Sequence, residues 1–207
     1  MIKIFKTTDS GVLQISEFED NSWISMTNPT TEELFSVSST YKIAPDDLRA
    51  SLDEEERSRI EIEEYYSLIL VDIPTIEERN GKDWYGTIPL AIIICDKVIV
   101  TVCLEDSPVL TAFMDGRVRN FYTHMKTRFI FQILYRNATY LNYLRIIDRR
   151  SDAIEQKLHE ATKNRELIEL LELEKSLVFF TTSLKSNEVV LEKLLKSTAI
   201  KKYPEDE

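Results

Sequence analysis

The chain has 207 residues, 43% apolar and 30% charged, with 36 acidic against 26 basic side chains and a net charge of −10. That length can bury a substantial core, and the acidic balance excludes nonspecific nucleic-acid binding, which needs a basic face to displace counterions from phosphate. No run of some eighteen apolar residues exists to cross a bilayer, and the opening MIKIFKTTDSG is too short and polar for a signal peptide.

Ile2 and Ile4, then Val12, Leu13 and Ile15, predict an opening pair of strands joined at Asp9-Ser10-Gly11. Trp23-Ile24-Ser25-Met26 predicts a third, halted by Asn28-Pro29. Thr30 and Glu33 then have capping-box spacing, so a short helix should run to Tyr41. Pro45 opens another, and LDEEERSR leads out of it. RIEIEE alternates strictly, with Ile60 and Ile62 on one face, as a half-buried strand does. SLILVDIP and TIPLAIIIC are continuous apolar runs, the mark of strands covered on both faces, and VIVTVC completes a sheet of about six strands. If Asp96-Lys97 is a hairpin turn, Cys95 lies opposite Val98 and Cys103 lies far along the ladder. Both then read as reduced core thiols of a cytoplasmic protein rather than a disulfide.

The character changes at about Pro108, dividing one continuous domain into a strand-rich part, 1–107, and a helical part, 108–207. One long helix is predicted over 127–160 and a second over 166–197, with Asn164 marking the break. In the second, Leu170, Leu173, Leu177, Phe180, Leu184, Asn187, Leu191 and Leu194 form a heptad seam, suited to antiparallel packing on the first helix. Asn187 occupies a seam position, where a polar residue fixes register; Thr181, Thr182, Ser183 and Ser186 fall off it. The fold class is therefore α/β, an αβα arrangement with a mixed central sheet flanked by helices and followed by two long antiparallel helices.

Catalytic chemistry is not legible. Four unclustered glycines make no phosphate loop, and neither His124 nor His159 has a second His or Cys at ligand spacing. A Cys103–His124 nucleophile pair lacks an orienting carboxylate. Asp53-Glu54-Glu55-Glu56 reads as a solvated charge run, although Asp46, Asp47 and Asp53 are candidate hard-oxygen ligands for Mg²⁺.

Taken together, LDEEERSRIEIEE, the buried strands after it, KTRFIFQIL and LEKSLVFFTTSLKSNE resemble the cytoplasmic domain of CorA-type magnesium transporters. Arg57-Ser58-Arg59-Ile60-Glu61 is similar to that family's Arg-x-Lys/Arg-Val/Ile-Glu. The resemblance implies an αβα domain hung from a stalk helix that leads into the cell membrane, in a homopentamer conducting Mg²⁺ or another divalent ion. The family's Gly-Met-Asn tripeptide and transmembrane helices are not in this sequence, which stops at KKYPEDE, about where the stalk would begin. The expectation is a soluble regulatory or funnel domain at the cytoplasmic face, unable to transport alone, with identical subunits as partners. Where the family carries an acidic pair after the proline of the short helix, this chain has Arg49 and Ala50, and a further family carboxylate falls near Leu134. Mg²⁺ as a cofactor is accordingly expected to be weak or absent. A free-standing helical-hairpin scaffold is the alternative.

Overall fold

The runs of the first half become strands β1 (Ile2–Thr8), β2 (Gly11–Ile15), β3 (Trp23–Thr27), β4 (Arg59–Ile62), β5 (Tyr66–Arg79), β6 (Lys82–Cys95) and β7 (Ile99–Cys103). The computed structural model describes residues 1–79, 81–137, 139–160 and 164–197, the side chains of 157–160 excepted. The strands form one mixed sheet in the order β2-β1-β3-β7-β6-β5-β4, seven where the sequence suggested about six. Among the described residues only β3 and β7 pair in parallel; the other pairs are antiparallel.

Helices α1 (Thr31–Tyr41) and α2 (Pro45–Arg49), with a 3-10 turn at Ala50–Leu52, cover one face; α3 (Pro108–Met114) and α4 (Lys126–Arg136) cover the other. The capping box forms as its spacing implies: Thr30 Oγ1 accepts from the Glu33 N–H and a Glu33 carboxylate oxygen accepts from the Thr30 N–H at 2.8 Å. Alternation assigns the strand residues to the two faces. Leu68, Leu70, Ala91 and Ile93 join the α1–α2 core, while Ile69, Val71, Leu90 and Ile92 join the α3–α4 core. The second core is built around Trp23, whose ring meets Phe113, Phe121 and Phe129 edge-on at 6.3, 6.0 and 4.9 Å. Its indole N–H donates to Thr101 Oγ1 at 2.9 Å, satisfying a fully buried donor.

Two details differ from the sequence reading. The helix expected over 127–160 is interrupted: α4 ends at Arg136, and α5 runs over Thr139–Glu160. Asn137 caps the break, its side chain turned toward β5. RIEIEE also pairs as β4, but only Ile60 packs against the core, and Ile62 is exposed. The two continuous runs, by contrast, extend beyond their apolar stretches. Strands β5 and β6 pair from Tyr66–Cys95 out to Arg79–Lys82, turning at Gly81 with φ +73°.

Helix α6 spans Asn164–Lys196. Its buried face is Leu173, Ser176, Phe180, Ser183, Asn187, Val190 and Leu194. The heptad holds at Leu173, Phe180, Asn187 and Leu194, but Ser176, Ser183 and Val190 replace Leu177, Leu184 and Leu191, which are exposed. The reason is what α6 packs on. A pure coiled-coil partner would take the leucine-rich flank; here the close approach of a strand favours small serines. Leu173 and Phe180 join Tyr85, Tyr140, Tyr143, Ile147 and Ile154 in a distal core between α5 and the far end of the β5–β6 hairpin. Val190 and Leu194 join the α3–α4 core. By alternation Tyr85 points to the same side as Ala91 and Ile93, so α6 passes from one face of the sheet to the other along the open edge of β5.

Candidate functional site

The acidic candidates sit on and after α2. Pro45 at the helix start presets φ, and Leu48 is fully buried beneath it. Tyr66 of β5 ties the helix down: its hydroxyl accepts from the Ala44 N–H at 3.2 Å and donates to Asp47 Oδ2. Burial, then the bond to Asp47, pushes the Tyr66 phenol up to about 12. Ser51 Oγ donates to the Val102 carbonyl at 2.8 Å and fixes the 3-10 turn to β7. Asp46 is exposed, Asp47 is committed to Tyr66, and Asp53 Oδ1 accepts from the Glu55 N–H in a turn. Arg49 points to solvent and Ala50 is buried. Leu134 packs against the α3–α4 core, across the sheet from this shelf. Among the described residues no group of three or more His, Cys, Asp or Glu side chains is placed to hold a metal ion.

Cys95 and Cys103 belong to opposite faces of the sheet, and burial pushes both thiols up to about 12, the reverse of what activates a nucleophile. His124 is exposed, its ring 5.6 Å from that of Tyr122. The side chain of His159 lies outside the described residues.

Sequence reasoning missed a polar joint at Asp72. Strand β4 pairs with β5 only as far as Arg59–Leu70. Asp72, two residues further along, therefore points its backbone N–H and C=O at an edge with no strand beside it. Asn187 fills the gap in the manner of a peptide group. Its Oδ1 accepts from the Asp72 N–H at 2.8 Å, and its Nδ2 donates to the Asp72 carbonyl at 2.7 Å. Ser58 Oγ donates to the same Oδ1 at 3.2 Å. Tyr140 and Asn137 add longer bonds to the Asp72 carbonyl, 3.3 and 3.4 Å, and Ser183 Oγ lies 2.9 Å from Thr87 Oγ1. Burial holds the Asp72 carboxyl above its ordinary value, opposed by the hydroxyls of Ser183 and Ser58. Asn187 thus satisfies a strand edge rather than setting a helix register. The available signal was an Asn in a leucine seam next to serines, together with a proline in each long strand. Pro74 and Pro89 both lie beyond the ends of the outer partners, β4 stopping at Leu70 and β7 at Leu90, where a missing N–H costs nothing.

The distal end is closed by aromatic and charged contacts. Arg79 stacks on Trp84 at 3.7 Å, Trp84 meets Phe179 of α6 at 5.6 Å, and Lys82 pairs with Glu169. A cleft of about 460 Å³ remains beside them, lined in part by Glu54, Glu55, Glu172 and Lys175.

A family model described as CorA-like Mg²⁺ transporter protein matches residues 18–207. A curated relative, the cobalt/magnesium transport protein CorA of Methanocaldococcus jannaschii, is 31% identical over 179 residues, which is 82% of this chain and 53% of the relative. The chain thus spans about half the length of that curated relative. The solved soluble domain of CorA from the same organism superposes with a TM-score of 0.81 at 24% identity, covering 99% of this chain and 81% of that one. The complete CorA structure gives 0.85 at 23% identity, covering 100% of this chain and 66% of that one. Among the described residues no helix is long and apolar enough to cross a membrane.

Proposed function

We propose that this chain, which belongs to the CorA-like Mg²⁺ transporter family, works as the soluble funnel or regulatory domain of a divalent-cation transporter. The family match over residues 18–207 carries the reading; the shared fold with a CorA soluble domain supports it. The family moves ions rather than transforming substrates. In this reading the domain sits on the cytoplasmic face, joined to membrane helices of a longer protein and arranged with identical copies in a homopentamer. Its cargo is Mg²⁺ or a similar divalent ion. Residues 1–107 and 108–207 act as one unit, which the core shared by β-strands, α3, α4 and α6 supports. Alone, the chain stays mostly monomeric, since −10 charges per copy repel and, among the described residues, no helix is long and apolar enough to cross a membrane and hold copies together.

Regulation in this proposal does not use a Mg²⁺ site at residues 49–50. A Mg²⁺ site takes about six oxygens in tight octahedral geometry, usually with one or two carboxylates. Arg49 brings a positive charge, Ala50 brings no oxygen, and Asp47 is engaged by Tyr66. Asp46, Asp47 and Asp53 are left to weak ion screening, and regulation falls to other acidic groups or to an ion pair from Arg49 to a neighbouring copy. The test is a chimera in which residues 1–207 replace the soluble domain of the archaeal relative, expressed in cells that lack Mg²⁺ uptake. Growth at limiting Mg²⁺, matching the parent and absent with the membrane part alone, supports the reading; a folded, membrane-inserted chimera that never rescues growth contradicts it.

A further inference from the structure

We propose that the cavity between the β1–β2 turn and the loop joining α3 to α4 is a binding site for a guanine nucleotide.

The cavity holds about 500 Å³, within the range of small-molecule sites. The β1–β2 turn supplies one wall and residues 116–124 the other. Both are held in place. The Thr123 N–H donates to Thr7 Oγ1 at 2.9 Å and the Thr7 N–H to Thr123 Oγ1 at 3.1 Å. This pair ties the loop to β1 beyond Phe5, where its pairing with β3 ends. From α4, Gln132 Nε2 donates to the carbonyls of Arg119 and Asn120 at 3.1 and 3.4 Å. Asn120 is thereby fixed at φ +55°, a left-handed conformation that a non-glycine residue keeps only where its surroundings impose it. A ligand meets walls that are already ordered, which favours affinity.

The lining combines an apolar floor, an aromatic face and two polar readers. Val12 and Val118 form the floor and pack on the α3–α4 core. On the loop wall the rings of Tyr122 and His124 lie 5.6 Å apart, and Tyr122 is 40% exposed. A planar base can stack on such a face. Asp9 lies on the turn and Asn120 on the loop. Both are exposed, and among the described residues neither side chain is hydrogen-bonded. A carboxylate only accepts hydrogen bonds, whereas an amide also donates. Guanine answers both: its N1–H and N2–H are adjacent donors for Asp9, and its O6 and N7 accept from the Asn120 amide. Adenine turns its N1 lone pair toward the place of the first donor, against the carboxylate.

Charge favours a phosphorylated ligand. Residues 115–128 carry Arg117, Arg119, Lys126 and Arg128 against Asp115, a local balance of +3 in a chain of −10. Arg117 is paired with Asp115. The Arg128 guanidinium lies 6.0 Å from the Tyr122 ring, and exposed Arg119 stands between the lining residues Val118 and Asn120. Guanidinium groups beside the stacking face suit the phosphates of a nucleotide whose base occupies the cavity.

The experiment is calorimetric titration of the whole chain with GDP, ADP, guanosine and inorganic pyrophosphate, each without divalent cation. Saturable GDP binding is expected, about tenfold or more tighter than ADP. Asp9→Asn should erase that preference, Tyr122→Ala should weaken GDP and guanosine alike, and Arg119→Glu should weaken GDP but not guanosine. All three substitutions lie at exposed positions, and circular dichroism checks that each variant is folded. The proposal is overturned if GDP shows no saturable binding at millimolar concentration. It is equally overturned if pyrophosphate binds as tightly as GDP, which marks an anion patch only, or if the preference for GDP over ADP survives Asp9→Asn.

Discussion

Asn187→Leu separates two accounts of one side chain. If Asn187 were a polar seam residue of the coiled-coil kind, set there for register, leucine would stabilise the protein. If it serves as the missing peptide of β5, leucine must destabilise it. The substitution removes the acceptor 2.8 Å from the Asp72 N–H and the donor 2.7 Å from its carbonyl. The carbonyl keeps Tyr140 and Asn137 at 3.3 and 3.4 Å; the N–H keeps no partner that the structure shows. A buried orphan donor costs about 1–3 kcal/mol, and the Ser58 hydroxyl loses a bond worth about 1 kcal/mol. Extra apolar burial returns about 1 kcal/mol. The net loss is about 2 kcal/mol, which lowers the urea midpoint by roughly 0.7–1 M at an m-value of about 2–3 kcal/mol/M. The melting temperature should fall by about 4–8 °C. Urea titrations followed by circular dichroism supply the number, with unchanged m as the check that both states stay comparable. A midpoint equal to or above wild type refutes the edge-capping account.

Gly86 is held by Trp84: a Cβ there would lie 2.3 Å from the indole ring. Gly86→Ala should therefore swing Trp84 off Arg79 and Phe179, cost about 1–2 kcal/mol, and red-shift tryptophan emission. Tyr66→Phe removes the clamp on α2 and should cost about 1 kcal/mol near neutrality. Because the Tyr66 phenol is raised from 10 to about 12, its contribution is complete below pH 10 and lost as pH climbs through about 12, so the wild-type advantage should shrink there. An advantage that persists unchanged past pH 12 contradicts the clamp. Cys95 and Cys103, both pushed up to about 12, should stay unlabelled by a thiol reagent at pH 8 until urea unfolds the chain.

Elements with a strong local signal were legible. The Thr30–Glu33 capping box, the alternation that opens the chain and the apolar runs of β5, β6 and β7 fix their own structure. So the sheet and its flanking helices followed from sequence, as did the family, through the ordered motifs around Arg57–Glu61. Three features did not, each because a tertiary contact overrides a local rule. The break at Asn137 carries no glycine or proline; it exists because the chain crosses the sheet edge there. The buried face of α6 runs through Ser176 and Ser183 because a strand, not a leucine seam, lies against it. Asp72 reads as one polar residue inside an apolar run, and its importance appears only once β4 is seen to end at Leu70. The acidic candidates Asp46, Asp47 and Asp53 were found by composition, and Asp47 proves to be bonded to Tyr66.

Ion flux decides whether this domain works on an ion-conducting membrane protein, as proposed. The chimera described above, purified and reconstituted in liposomes carrying a Mg²⁺-sensitive dye, should admit Mg²⁺ at a rate comparable to the archaeal parent. A correctly assembled chimera that passes no Mg²⁺ while the parent conducts would contradict the account.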